Sequence, residues 1–212
     1  MEKKSKTPAA RGSIIVISAP SGAGKSTLIK RLIASTPGLA FSVSYTTRAP
    51  RAAEKHGRDY FFVSPKVFEG MLRQGEFVEW ADVHGHFYGT AHKQLHAAQE
   101  AGQDILLDID VQGHKQVRHQ LPQAISVFIL PPSFQELSRR LRNRRSDAPE
   151  DIDRRLATAR EEITHWCEYE YLVVNDNLKD ATQALQAIVR AARFRRPNQA
   201  GRVQDIIKKF GG

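Results

Sequence analysis

Lys25 and Ser26, flanked by Gly24 and Thr27, stand where a turn of small residues gives way to a helix, and side chains of these types in this order can hold a chain of phosphates. Ala19, Pro20, Ser21, Gly22, Ala23 and Gly24 leave their backbone N–H groups, where present, open to an anion. The phosphates would rest on the helix N-terminus, with its unpaired N–H groups and partial positive charge. Lys25 would reach the outer phosphates and the Ser26 hydroxyl would ligate Mg²⁺. The loop departs from G-x-x-x-x-G-K-[ST] at one place, Ala19 for the first glycine. An ordinary Gly/Ser turn would not explain a lysine followed by two hydroxyls.

Three more groups of residues could do related chemistry. In the run ILLDID, Asp108 and Asp110 are two residues apart and so on one strand face, suited to Mg²⁺ or to the groups behind it, or else to capping the next helix. Arg140 and Arg144 are i,i+4 on one helix face, and Arg155 follows after a break at Ser146 to Glu150. Guanidinium groups stay charged and grip phosphate oxygens bidentately, so this array reads as a lid, with Arg139, Arg142 and Arg145 on its solvated side. Ser42 to Arg51 (SVSYTTRAPR) offers hydroxyls and then two arginines, a second anion site of the kind a phosphate-accepting substrate needs.

These residues need a frame. The apolar run Ile14 to Ser18 is a strand leading into a helix from Lys25 to about Ser35. Strands are also expected at Phe41 to Thr46, Asp104 to Asp110, Ala124 to Leu130 and Tyr171 to Asn175. Helices are expected around His114 to His119, from Ser133 to about Arg144, from the break at Ser146 to Glu150 on to about Tyr169, and up to about Phe194. Alternating strands and helices predict an α/β fold with a mostly parallel five-stranded sheet flanked by helices. The short aromatic runs at Tyr60 to Val63, Phe77 to Val83 and Phe87-Tyr88, with a helix near Pro65 to Gln74, have a different texture and suggest an inserted mixed α/β lobe. The expected division is a basic N-terminal tail (1–12), a core (13–40 and 95–196, with a helical lid at about 134–160), the inserted lobe (41–94) and a basic C-terminal tail (197–212).

Composition narrows the function classes. Of the formal charge of +9, the two ends supply +3 and +6 and the arginine-rich stretch from Arg139 to Arg160 supplies +4, leaving the rest acidic. Charge gathered on tails argues against nucleic acid as the partner. Cys167 is the sole cysteine, so no intrachain disulfide can form. Met1 to Gly12 lacks the apolar core of a signal peptide and no segment reaches transmembrane length, which points to the cytoplasm and away from a membrane partner. His84, His86, His92 and His96 crowd a short span without the further ligands a zinc site needs. Trp80, Trp166 and Cys167 read as packing residues. A homo-oligomer is left open.

Taken together, SAPSGAGKST, SVSYTTRAPR, the G-x-D-Y-x-F run from Gly57 to Phe62, FVEWA at Phe77 to Ala81, Tyr88-Gly89-Thr90, ILLDIDVQG and the R-x-x-x-R with Arg155 resemble the guanylate kinases, in order and spacing, over about Ser13 to Arg196. The resemblance implies a P-loop core, an inserted GMP-binding lobe, a mobile lid and the reaction MgATP + GMP ⇌ ADP + GDP, with dGMP as a further acceptor. It implies that Lys25, Arg140, Arg144 and Arg155 hold the ATP phosphates and the transferring phosphoryl. Ala19 to Thr27 would line the ATP site, with Asn175 near its adenine end. Ser44, Arg48, Arg51, Tyr60 and Tyr88 would hold the GMP phosphate; Glu79, Thr90 and Asp110 would read guanine, with Asp108 beside them. The rival is a guanylate-kinase-like protein-binding module without catalysis, which has no need of Gly24-Lys25-Ser26 or paired lid arginines.

Overall fold

The structure, a computed structural model, describes residues 12–83, 85–143 and 149–210. Most of the expected N-terminal tail, His84, Arg144, Arg145 and residues 146–148 of the expected break lie outside the described residues.

The larger sheet has the strand order β2-β7-β1-β8-β9, formed by Leu39–Phe41, Asp104–Asp108, Ile14–Ser18, Ile125–Leu130 and Tyr171–Val174 respectively. The β1–β8, β2–β7 and β8–β9 pairs run parallel. Every residue of β1 is buried, as expected of a strand covered on both faces, and this is why it reads as an unbroken apolar run. Helices α1 (Lys25–Ser35), α4 (Val111–Gln120), α5 (Phe134–Arg142) and α7 (Leu178–Arg193) alternate with these strands. Ser133 caps α5 by accepting from the Glu136 N–H at 3.1 Å, as its place before an apolar-periodic run foretells.

The smaller sheet, order β4-β3-β6-β5, joins Phe61–Phe62, Tyr45–Thr46, His86–Ala91 and Phe77–Val83. Ser64 caps α2 (Pro65–Arg73), which has proline in its first turn. The core of this sheet is aromatic: Phe68 stacks on Phe77 at 4.4 Å and on Phe87 at 5.5 Å, with Tyr45 and Trp80 against the cluster. Short strands bury too little by themselves, and these rings supply the apolar area.

By density of contacts the chain forms two compact units. One is built on Gly38–Leu106 and the chain from Ile188; the other comprises Ile15–Pro37 and Leu107–Ala187. The whole of the expected inserted lobe falls in the first.

Several expectations need correction. Phe41 to Thr46 is not one strand but the end of β2 and the whole of the two-residue β3, because the Ser42 N–H donates to Leu106 O while the Gln94 side chain takes Val43 O and the Ser42 hydroxyl. The strand from Asp104 stops at Asp108; Asp110 is the N-cap of α4 and accepts the Gly113 N–H at 2.8 Å. The expected long helix is α6 (Pro149–Ile163) followed by a 3₁₀ turn, Thr164–Glu168, which leaves Trp166 and Cys167 exposed rather than packed. Helix α3 (His92–Glu100) is an addition. The expected C-terminal tail is helical over Arg196–Lys209 (α8), anchored where the Asn198 amide donates to the Ser13 hydroxyl and to Ala192 O, each at 2.8 Å.

Candidate active site

The loop between β1 and α1 owes its shape to two glycines in the left-handed region, Gly22 (φ 90°) and Gly24 (φ 92°), where a side chain would be strained. Space forbids one as well. A Cβ on Gly22 would press on the Leu137 and Leu141 side chains of α5, and one on Gly24 would meet the Asn175 amide. Gly24 is the N-cap of α1, and no side chain caps that end, which leaves its first-turn N–H groups without a side-chain acceptor, as at helix ends that can receive an anion.

Lys25 lies at the mouth of this loop. Its Nζ is 2.7 Å from Asp108 Oδ1 and donates to Ile109 O at 3.0 Å. The ammonium is thus aimed by the end of β7. The Ser26 hydroxyl is exposed in the first turn. Asn175, buried at the end of the sheet, donates from Nδ2 to Ala23 O at 2.8 Å, so its amide supports the loop backbone. Arg140 spans the same place: Nη2 donates to Asn175 O at 3.0 Å, Nη1 to Ala23 O at 3.5 Å and Nε to Glu136 Oε1 at 2.7 Å. Its neighbours Arg139 and Arg140 hold the Glu136 carboxyl down to about 2. From α6, Arg155 Nε donates to the Ser21 hydroxyl at 3.0 Å. Arg144 lies outside the described residues. Lys25, Asp108, Arg140, Arg155 and Asn175 therefore gather around one loop, and Asp108, expected on the acceptor side, is the lysine's ion-pair partner.

The second group sits on the smaller sheet. Arg48 donates to both Glu54 oxygens, at 2.8 and 2.9 Å, and from Nε to Tyr88 Oη at 3.2 Å. Its guanidinium carbon lies 5.6 Å from the centre of the Tyr60 ring, and Tyr60 meets Tyr88 edge-on at 5.8 Å. These contacts raise the Arg48 pKa, the Glu54 hydrogen bond foremost, and hold the Glu54 carboxyl below its usual range. The Arg51 N–H donates to Glu54 Oε2 while its side chain is exposed. Ser44 O accepts from the Phe61 N–H at 2.9 Å and so ties β3 to β4. Glu79 and Thr90 face each other across the antiparallel β5–β6 pair, next to an irregularity between Phe77 and Glu79. Both are buried, and the Thr90 hydroxyl donates to Glu79 Oε1 at 2.6 Å. Arg48, Tyr60, Tyr88, Glu79 and Thr90 are thus on one small sheet and its loop. Asp110 belongs to the other compact unit.

Residues 11–192 match the family model described as guanylate kinase. This chain belongs to the guanylate kinase family. It is 51% identical over 181 residues to a guanylate kinase of Dechloromonas aromatica, covering 85% of this chain and 90% of that one. It is 47% identical over 203 residues to one of Thiobacillus denitrificans, covering 96% and 97%. The crystal structure of guanylate kinase from Anaplasma phagocytophilum superposes with a TM-score of 0.73 at 34% identity, covering 90% of each chain.

Three carboxylates of this guanylate kinase family member were absent from the expected sites. Glu54 occupies the Arg48 fork, Glu136 braces Arg139 and Arg140, and Glu162 accepts the Ser21 N–H at 3.0 Å. Burial holds the Glu162 carboxyl above the usual carboxylate range, against the pull of that N–H and of Lys25. Glu136 had a local signal, since it lies four residues before Arg140 on one helix face. Among the described residues no group of three or more His, Cys, Asp or Glu side chains forms a metal site.

Proposed function

We propose that this chain transfers the γ-phosphoryl of MgATP to GMP, giving ADP and GDP, and accepts dGMP as well. The observation that carries the reading is Lys25, the first residue of the uncapped helix α1 with its ammonium held by Asp108, in a chain of the guanylate kinase family. A protein-binding module of the same fold would have no use for that arrangement, and it is not favoured.

Residues 19–27 cradle the ATP phosphates on backbone N–H groups, Lys25 neutralises the outer ones, and Asn175 keeps the loop in shape. Arg140, Arg144 and Arg155 spread the charge of the phosphoryl in flight. Ser44, Arg48, Arg51, Tyr60 and Tyr88 take the GMP phosphate. Glu79, fixed by Thr90, accepts from guanine N1–H and the exocyclic amine, with Asp110 as a further guanine contact. Adenine offers no such donor pair on that edge, and a buried carboxylate would be left unpaired.

No general base is needed. A phosphate monoester has its second pKa at about 6, so the GMP phosphate is largely dianionic at neutral pH. The work is electrostatic and positional. The Ser26 hydroxyl, exposed in the first turn of α1 and without a hydrogen bond among the described residues, suits a hard cation that prefers oxygen. Mg²⁺ held there would supply charge neutralisation to the phosphates. Such a reaction belongs in the cytoplasm, and no helix among the described residues is long and apolar enough to cross a membrane.

A coupled assay of ADP formation with GMP, AMP, dTMP or no acceptor tests the proposal. Turnover should require GMP or dGMP; equal turnover of AMP would overturn it.

A further inference from the structure

Ser21 is held from two directions by one helix. Its backbone N–H donates to Glu162 Oε2 and its hydroxyl accepts from Arg155 Nε, each at 3.0 Å. The two partners lie on α6 seven residues apart, about two helical turns, and so on one face. Leu156 and Ala159, between them, are buried against Leu137 and Leu141 of α5. Those same leucines crowd Gly22. The Ser21-Gly22 edge of the loop is therefore fitted to α5 by shape and to α6 by two hydrogen bonds.

Glu162 is half-buried, has Asp110 near enough to oppose its charge, and is compensated by Lys25 and the Ser21 N–H. A carboxylate in such surroundings costs stability unless what it holds repays the desolvation. We propose that Glu162 is a positioning residue for phosphoryl transfer: through Ser21 it clasps the phosphate loop to α6 and sets the place from which Arg155 reaches the phosphates. The clasp rests on the reading of residues 19–27 as the ATP phosphate site. Because Glu162 and Arg155 act through the same serine, their losses do not add.

The test is a double-mutant cycle on the full chain: kcat, ATP KM and GMP KM for the wild type, Glu162→Ala, Arg155→Ala and the double variant, with a thermal melt of each. Glu162→Ala is expected to lower kcat about tenfold while GMP KM stays within about twofold, since misplacing a catalytic group is felt in the transition state. In the Arg155→Ala background the same change should cost less than about twofold more. Glu162→Gln keeps the shape and an acceptor for the Ser21 N–H without the charge, and should fall between; if Glu162→Ala melts below assay temperature, the glutamine variant carries the cycle by the same criterion. Fully multiplicative losses, or wild-type kcat in both Glu162 variants, would overturn the clasp. Lys25→Ala, assayed alongside, separates the two readings. Turnover that survived it would remove the ATP-phosphate assignment itself, whereas a dead Lys25→Ala beside wild-type-like Glu162 variants would remove only the clasp.

Discussion

The Thr90 hydroxyl donates to Glu79 Oε1 at 2.6 Å, joining two buried residues across neighbouring strands. A buried carboxylate held this way has one orientation to offer a base, and its neighbour on the chain, Trp80, packs into the aromatic cluster that keeps the strand in place. Glu79→Gln presents a donor where guanine also presents one. It should weaken GMP use by about 1–3 kcal/mol, read from kcat/KM, with ATP KM unchanged. Unchanged GMP kinetics would assign guanine reading to another residue.

Lys25→Ala should abolish phosphoryl transfer yet leave GMP binding intact. Lys25 pairs with Asp108 at the phosphate loop, whereas Arg48, Tyr60, Tyr88, Glu79 and Thr90 are carried by the smaller sheet and its loop. Titration calorimetry with GMP alone checks it. Loss of GMP binding by a folded variant would show that the two substrates do not have separate sites.

Arg140→Lys keeps a positive charge but cannot span Glu136, Asn175 O and Ala23 O, which the guanidinium reaches with three different nitrogens. A kcat loss of about tenfold or more is expected, with GMP KM nearly constant, because phosphate clamps act where charge is shared in the transition state. Arg144→Lys should behave alike. Wild-type kcat in both would remove these arginines from the transfer step.

His114 gives a pH prediction. It is buried, stacks on Tyr169 at 3.8 Å, and neither ring nitrogen has a hydrogen-bond partner among the described residues. Burial, with the Arg118 charge adding to it, lowers its pKa from 6.5 to about 4. The folded protein therefore binds this proton more weakly than the unfolded chain. Stability should be level above pH 6.5 and fall as pH drops from 6.5 toward 4, by on the order of 3 kcal/mol from this group. Urea unfolding at a series of pH values measures the slope, and His114→Phe should flatten it. An identical slope in that variant would place the acid sensitivity elsewhere.

How much of this was legible in the sequence depends on the range of the interaction. The phosphate loop was readable because its chemistry is local: an apolar strand, small residues and a lysine at a helix start lie within a dozen positions. The helix start at Ser133 and the short helix near Pro65 were readable for the same reason. Asp110 was assigned to a strand because alternation alone does not distinguish a strand end from the helix cap that follows it. Trp166 and Cys167 were assigned inward on helical spacing, but the chain tightens to a 3₁₀ turn there and the period that would have buried them is lost. The acid opposite Ser21 had no local mark, since Glu162 meets a residue 141 positions away.

If Arg48 takes the GMP phosphate as proposed, the Arg48–Glu54 pair makes phosphate capture at the smaller sheet an exchange of anions. With both Glu54 oxygens seated in the guanidinium fork, an arriving GMP phosphate takes a place already filled, and its gain is the difference between two charge-assisted contacts. The displaced carboxylate stays tethered six residues along the same loop. It is therefore at hand to retake the fork when the diphosphate departs. On that reading the fork's own carboxylate offsets part of what the phosphate gains, so the contact favours exchange over retention.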